Sequence, residues 1–215
     1  DESWQEELRA ALYEACRLRL RADVTVGTYL SGGLDSSITT WLSKTRHQPD
    51  LKTFSIGFKD AGYDESRFQT LLAEGLGTEH HAVSVSREEI AANLRKTIWH
   101  TETPMHRTAP VPLMRLSRLV RDTGLKVVLT GEGADEVFGG YDQFKENKIR
   151  RFWARSPGSP WRRRLLDRLE GNVPRTGRRT RAFWYAFYEQ GLRETDRPGY
   201  SHHPRWRNGL SLLPL

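Results

Sequence analysis

The order of apolar and polar residues predicts strands that alternate with helices over about the first 140 residues. Apolar and β-branched runs indicate strands at 23–30, 51–58 and 79–85, and a fourth in "LKVVL" before "TGEGADE". Helical spacing predicts helices at the N-terminus, after residue 37, and at 64–77, 87–98 and 111–123. This alternation is typical of an α/β fold, a parallel sheet with helices on both faces.

Beyond about residue 142 the alternation stops, and aromatic-rich helical stretches such as "RAFWYAFYEQGL" follow. We therefore expect a core domain at 1–145 and a partial, basic, mainly helical extension at 146–215. The chain begins at Asp1 and ends on "SLLPL" without a polar tail. These ends suggest a fragment of a longer protein.

Composition narrows the class of protein. Hydrophobic residues make up 37% of the chain and charged residues 28%, as in soluble proteins. No apolar run approaches the ~20 residues that cross a bilayer, and no charged-then-apolar leader is present. We expect a cytoplasmic protein that does not contact a membrane.

Few residues outside the glycine-rich turns are candidates for redox chemistry or metal binding. Cys16 is the single cysteine, which excludes an internal disulfide, and its helical spacing from Leu12 predicts a small core residue. His80 and His81 fall on a strand pattern. Their side chains should point to opposite faces and should not chelate one metal together.

The net charge of +7 comes from one segment. Residues 148–181 carry 12 Lys or Arg and two acidic residues, so the remainder of the chain is slightly acidic. This segment is either a solvated or partner-facing linker, or a phosphate-binding patch with Trp153 and Trp161 interleaved. Its local character argues against nucleic acid as the partner.

Two glycine-rich turns follow predicted strands. In "SGGLDSS", Gly32 and Gly33 can expose backbone amides, and Asp35, Ser36 and Ser37 stand where a helix would begin. Amides that converge on a helix N-terminus bind anions such as phosphate. A well-capped structural turn is the alternative. A Walker A loop is excluded because no Gly-Lys-Ser/Thr follows.

Asp35 indicates which cation would accompany the anion. A carboxylate beside a phosphate repels it unless a cation lies between them, and Mg²⁺ binds one or two carboxylates plus phosphate oxygens. The second turn, "TGEGADE", supplies Glu132, Asp135 and Glu136. Since the carboxyl ends of parallel strands share one edge of a sheet, the two turns could hold a metal between them.

These motifs resemble those of a known family. "LSGGLDSS" is similar to the pyrophosphate-binding loop of the N-type ATP pyrophosphatases. Together with "FSIGF", "YDES", "ETP" and above all "LTGEGADEVFGGY", it resembles the synthetase domain of glutamine-dependent asparagine synthetases. The resemblance covers roughly residues 1–145.

The resemblance implies that an aspartate side-chain carboxylate attacks the α-phosphorus of ATP and releases pyrophosphate. Ammonia then displaces AMP from β-aspartyl-AMP to give asparagine. It assigns Glu132 to forming and using the acyl-adenylate, and Asp35 and Asp135 to Mg²⁺. It assigns the pyrophosphate to Ser31, Gly32, Gly33, Asp35, Ser36 and Ser37, the adenine to Leu30 and Ile56, and the ribose and α-phosphate region to Thr130 and Gly131.

Further features of the family bear on partners. Glu102 lies within "TETPM", and His106 and Arg107 follow it; Glu102 and Arg107 are candidates for the acceptor pocket. The family's glutaminase half starts with a catalytic cysteine, whereas this chain starts with Asp1, so ammonia would come from a glutaminase domain outside it. The family's downstream lysine has no counterpart here. The parent protein could form a homodimer.

Other functions share parts of this pattern. A β-lactam synthetase or a lasso-peptide cyclase would use the same adenylation for another amide. A non-catalytic nucleotide-binding domain would keep the turns without turnover. Nucleic-acid binding or modification would depend on the basic segment.

Overall fold

The computed structural model describes residues 2–105, 107–169 and 178–210. The chain divides into two compact units, Asp1–Glu132 and Gly133–Leu215. The domain boundary predicted at 145/146 stays a prediction. The division into compact units falls between residues 132 and 133 of the sequence. No helix among the described residues is long and apolar enough to cross a membrane.

The first unit contains a four-stranded sheet. Its strands are β1 (Val26–Tyr29), β2 (Lys52–Phe58), β3 (Glu79–Val85) and β4 (Val127–Leu129). They are ordered β3-β2-β1-β4, and each neighbouring pair is parallel. The parallel sheet predicted from the alternation is therefore confirmed, although β1 begins at Val26 rather than at residue 23.

The described part of the first unit also contains five helices. They are α1 (Glu2–Arg19), α2 (Leu34–Arg46), α3 (Ser66–Leu76), α4 (Arg87–Thr101) and α5 (Pro110–Asp122). Local chemistry sets several of their ends: Ser86 and Glu89 form a capping box at α4, and Gly77 closes α3 in the left-handed conformation at φ 60°. Cys16 is buried as predicted, while two leucines of the same helix, Leu8 and Leu18, are exposed.

The two faces of the sheet differ in chemistry. On one face α5 packs against the strands, and Phe54, Leu116, Val120 and Leu125 form an apolar core. Because side chains alternate along a strand, Thr28 and Thr53 point to the other face, where Thr40 of α2 donates a hydrogen bond to Thr28 at 3.2 Å. This second face is buried but lined with hydroxyl groups.

The second unit is helical in its described residues. It contains α6 (Ala134–Phe138), α7 (Asp142–Ala154), a 3₁₀ helix (Arg163–Arg168), α8 (Arg178–Glu189) and α9 (His203–Leu210). Its apolar core is formed by Trp153, Leu166, Tyr188 and Leu192.

Part of the basic segment is structural. Trp153 is only 1% exposed and its indole donates to the carbonyl of Pro157, so it is not available to stack on a base. The alternative that places Trp153 in a phosphate-binding patch is therefore wrong for this residue, whereas Trp161 is exposed. Arg150 is equally buried and donates to three backbone carbonyls. Arg162 lies over the ring of Phe152. Residues 170–177 of the segment lie outside the described residues.

Candidate active site

The topology of the sheet defines one crevice. From β1 the chain crosses to β2 on one side, whereas β4, which follows α5, pairs with β1 on the other side. Parallel sheets bind ligands at the carboxyl ends of strands where the strand order reverses in this way. Here those ends lead into residues 30–33 and 130–132, which belong to the two predicted glycine-rich turns.

The first turn is held by its own serines. The buried Ser36 hydroxyl accepts from the Ser31 amide at 3.2 Å and pairs with the Ser31 hydroxyl at 2.8 Å. Ser37 donates from its hydroxyl to the carbonyl of Gly33 at 2.6 Å. These bonds fix the turn without using the amides at the start of α2.

Those amides face an anion-binding position. The first intrahelical bond of α2 runs from the Ser37 amide to the Gly33 carbonyl at 3.1 Å. The amides of Leu34, Asp35 and Ser36 therefore have no acceptor within the helix. Free amides and the positive end of the helix dipole favour a bound anion here.

A glutamine that sequence reasoning missed supports the turn from below. The amide of Gln69, on α3, donates to the carbonyls of Ser31 at 3.2 Å and Ile56 at 3.0 Å. Through these two bonds the buried Gln69 side chain joins the ends of β1 and β2. Leu30 is also buried, with its amide bonded to the carbonyl of Phe54 and its own carbonyl bonded to Ser55. The assignment of Leu30 and Ile56 to adenine stays a prediction.

The second turn lies against the first. A Cβ on Gly131 would come within 2.7 Å of the Ser36 amide nitrogen and 2.9 Å of the Asp35 carbonyl carbon. Only glycine allows this approach without a shift of the backbone. Thr130 accepts with its hydroxyl from the Glu132 amide at 3.4 Å, and Glu132 is exposed. The structure thus brings together the residues 31–37 and 130–132.

Asp135 belongs to the second unit, and its position requires a glycine nearby in the chain. Gly139 ends α6 in the left-handed conformation at φ 71°. The Asp135 carboxylate fills the space that a Cβ on Gly140 would occupy. Glu136 accepts a hydrogen bond from the Tyr141 hydroxyl at 2.7 Å. The sequence "ADEVFGGY" is therefore consistent with a motif that fixes Asp135 in one conformation.

Neither candidate for the acceptor pocket joins the two turns. Glu102 and Arg107 lie between α4 and α5, exposed, and no hydrogen bond or ion pair links them to the turns within the described part of the chain. Glu102 is nevertheless unusual, because its φ of 55° is the one left-handed value of a non-glycine residue among the described residues. His106 lies outside the described residues. The role of Glu102 and Arg107 stays a prediction.

Asp64 of the motif "YDES" has a structural role. Its carboxylate accepts from the Ser66 hydroxyl at 2.7 Å and from the Phe58 amide at 3.1 Å. The Ser66 bond, followed by the bond from Phe58, lowers the pKa of Asp64 below its ordinary value. Asp64 thus fixes the connection from β2 to α3, which carries Gln69.

The residues present suit Mg²⁺ bound through phosphate. Within the described ranges no three His, Cys, Asp or Glu residues form a metal cluster. The half-buried Asp35 carboxylate, beside the free amides of α2, receives no hydrogen bond or ion pair from the described residues. Mg²⁺ commonly takes one or two carboxylates and completes its shell with water and phosphate oxygens. Because Asp35 and Asp135 belong to different units, a site shared by both stays a prediction.

Comparison with known proteins identifies the family. The model of the asparagine synthase family matches residues 7–210, nearly the whole chain and both compact units. The chain belongs to the asparagine synthase family.

Individual relatives of the asparagine synthase family match a shorter region. The chain is 40% identical to asparagine synthetase [glutamine-hydrolyzing] 1 of Bacillus subtilis over 66% of this chain and 22% of that protein. It is 37% identical to asparagine synthetase B of Escherichia coli over 65% of this chain and 28% of that protein. It is 35% identical to amidase chyE of Penicillium rubens over 69% of this chain and 24% of that protein. The match thus spans about a quarter of each relative's length.

Proposed function

We propose that the native polypeptide containing this chain is an ATP-dependent amide ligase that makes asparagine. The observation that supports this most is the contact of Gly131 with Asp35 and Ser36 at the switch point of the sheet. It brings an anion-binding turn and an exposed carboxylate, Glu132, to one edge. The membership of the asparagine synthase family supports the same reaction.

In this proposal the side-chain carboxylate of aspartate attacks the α-phosphorus of ATP. A carboxylate oxygen forms the new bond to that phosphorus, and the bond to the bridging oxygen of the β-phosphate breaks. The departing pyrophosphate is held by the amides at the start of α2 and the turn from Ser31 to Ser37. Mg²⁺ held by Asp35, with Asp135, would supply positive charge that offsets the charge of this leaving group.

Ammonia then attacks the acyl carbon, the acyl–oxygen bond breaks, and AMP leaves. Attacking ammonia must lose a proton, and a carboxylate within reach can accept it. Glu132 is the residue proposed for this role, because it directly follows Gly131 and its side chain is exposed. The ammonia would come from glutamine hydrolysis by another domain of the native polypeptide.

A related amide-forming reaction is the second candidate. The relative from Penicillium rubens is 35% identical over 69% of this chain, and it is named an amidase and not an asparagine synthetase. The same two turns could therefore activate a carboxylate other than aspartate. Glu102 and Arg107 would then contact a different acceptor.

Pyrophosphate release decides between these functions. The native polypeptide is given Mg-ATP, ammonia and a panel of carboxylates that includes aspartate. We expect release stimulated by aspartate, with asparagine formed in equal amount. Stimulation by another carboxylate alone would favour the second candidate, and no stimulation by any would contradict both.

Asp35→Asn tests the metal part of the proposal. We expect pyrophosphate release to fall roughly 100-fold or more, because Mg²⁺ would lose a carboxylate ligand and the charge of the departing pyrophosphate would be less well offset. Asp50→Asn, at an exposed aspartate outside both turns, is the matched control. Unchanged release by the Asp35 variant would show that this carboxylate holds no catalytic metal.

A further inference from the structure

A second concave site lies between α4 and α5, away from the glycine-rich turns. We name it the α4–α5 cleft; it has a volume of about 610 Å³. The side chains that define it are Asn93, Lys96 and His100 of α4 and Arg115, Arg118 and Arg121 of α5. None of them belongs to the segments 30–37 or 130–132.

The cleft holds more positive charge than its surroundings neutralise. Arg115 comes no closer than 3.6 Å to Glu89, and Arg118 no closer than 4.0 Å to Asp122. Across the described part of the chain, no carboxylate forms an ion pair with Lys96 or Arg121. Four cationic side chains thus share one cleft with a single lining carboxylate, Asp122.

Its hydrogen-bond donors are also incompletely used. The Nε of Arg115 is buried and has no acceptor among the described residues. Each guanidinium offers five donors in a planar fork, which matches the oxygens of phosphate in pairs. Asn93 of α4 and Ser117 of α5 add neutral polar groups to the lining of the cleft. The cleft therefore offers several donors and charges to an anion from outside.

The volume and lining of an adjoining cavity indicate the size and chemical class of the ligand. A cavity of about 580 Å³ shares Ser117 and Arg121 with the cleft and is lined on its other side by Tyr29, Val120, Leu125 and Val128. Volumes of this order are typical of small-molecule sites. A phosphorylated small molecule could place its phosphates in the cleft and an apolar group in the cavity.

We infer that the α4–α5 cleft binds a small polyphosphate, either inorganic or the phosphate chain of a nucleotide. The ligand's charges would pair with Lys96 and Arg121, and the guanidinium forks would hold its phosphate oxygens. The site would be connected to the first turn through Tyr29, whose hydroxyl pairs with Ser117 at 3.3 Å and which directly precedes Leu30.

Calorimetric titration with inorganic tripolyphosphate tests this inference. The native polypeptide is titrated without Mg²⁺ at low and at moderate salt. We expect the double variant Lys96→Gln/Arg121→Gln to bind at least about tenfold more weakly, since two charged contacts are lost. Both side chains are exposed, so the fold should survive, and thermal unfolding checks it.

Three comparisons make the result decisive. Arg9→Gln/Arg19→Gln removes the same charge from the exposed surface of α1 and should leave binding unchanged. Ser31→Ala/Ser37→Ala alters the first turn and should leave tripolyphosphate binding in the cleft intact. Citrate, with carboxylates instead of phosphates, should bind more weakly than tripolyphosphate.

Each opposite result overturns the inference. Equal loss in the α1 variant would show a non-specific charge effect. Binding that is abolished in the turn variant and kept in the cleft variant would place the ligand at the glycine-rich turn alone. Equal binding of citrate would exclude recognition of phosphate. By contrast, tighter binding of ATP than of tripolyphosphate, lost with the cleft variant, would support the inference and identify the nucleotide form of the ligand.

Discussion

At the scale of single residues, two glycines and a glutamine decide the shape of the candidate site. Gly131 permits the second turn to lie against the start of α2. Gly32 adopts φ 87°, a backbone conformation that is strained for residues with a side chain, and a Cβ at this position would come within 3.1 Å of the Phe68 Cβ. Gln69 joins the carbonyls at the ends of β1 and β2. The anion-binding position thus depends on residues with no charge of their own.

Gly131→Ala tests the close approach of the two turns. The new methyl group would collide with backbone atoms of Asp35 and Ser36, so we expect a loss of roughly 1–3 kcal/mol in the free energy of unfolding. The Michaelis constant for ATP should also rise. Denaturant unfolding and steady-state kinetics measure the two effects.

Gly75→Ala is the matched control for this substitution. Gly75 lies inside α3 with open space around its Cβ position, so alanine should stabilise the protein by about 0.5–1 kcal/mol. If Gly131→Ala were equally harmless, the contact between the turns would not constrain the site.

His80 predicts a dependence of stability on pH. Its Nδ1 pairs with the Thr53 hydroxyl at 2.8 Å, and burial, with the charge of His81 second, lowers its pKa below 6.5. The unfolded chain then binds more protons than the folded chain near this pKa, so stability should fall as pH drops below about 6.5.

Denaturant unfolding of His80→Gln at pH 7.5 and pH 5.5 measures this contribution. We expect a smaller loss of stability at the lower pH in the variant than in the natural sequence. His100→Gln, on the exposed face of α4, should keep the natural loss. An unchanged pH dependence in the His80 variant would contradict the assignment.

At the scale of elements, the sequence predicts type and order better than side-chain surroundings. The strand predicted at 79–85 matches β3, because its alternating pattern has clear turn signals on both sides. The opposite orientations of the two histidines on β3 are also confirmed, since His81 stacks on Phe54 while His80 contacts Thr53. Alternation along a strand is sufficient to predict this.

Two features could not be predicted from such patterns. The hydroxyl-lined face of the sheet depends on the pairing of Thr40 with Thr28, which only the packing of α2 on β1 creates. The role of Gln69 depends on α3 bringing an ordinary polar residue between two strand ends. In both cases the partner groups are distant along the chain, and composition carries no signal for them.

A hydrogen-bonded ionic network around the buried Glu146 connects three helices of the second unit. Glu146 of α7 is 1% exposed and accepts two hydrogen bonds from Arg205 of α9, at 2.6 and 2.8 Å. It also accepts from the hydroxyl of Tyr188 on α8 at 2.8 Å. Burial, followed by the charge of Glu146, raises the pKa of Tyr188. The network fixes the packing of these helices.

Glu146→Gln should destabilise the second unit by about 2 kcal/mol, because the buried carboxylate loses its charge-assisted hydrogen bonds to Arg205, whose own side chain is exposed. Hydrogen exchange should accelerate in α7, α8 and α9 and remain unchanged in the sheet of the first unit. Glu189→Gln, at an exposed position of α8, is the control. Equal exchange in both variants would show that the network does not stabilise these helices.

At the scale of the whole molecule, the family match and the positive charge have different distributions. The asparagine synthase model extends over both units, whereas the curated relatives align over about two thirds of the chain. Arg150 and Arg162 of the basic segment already make contacts within the second unit. Positive charge there supports packing, and the α4–α5 cleft holds a separate group of cations in the first unit.

The most direct test of the proposed reaction traces an oxygen atom. The native polypeptide is given Mg-ATP, ammonia and aspartate labelled with ¹⁸O in its side-chain carboxylate, and the products are analysed by mass spectrometry. Attack on the α-phosphorus predicts one ¹⁸O atom in AMP and none in pyrophosphate. Label in inorganic phosphate, with ADP as the other product, would contradict the proposed adenylation.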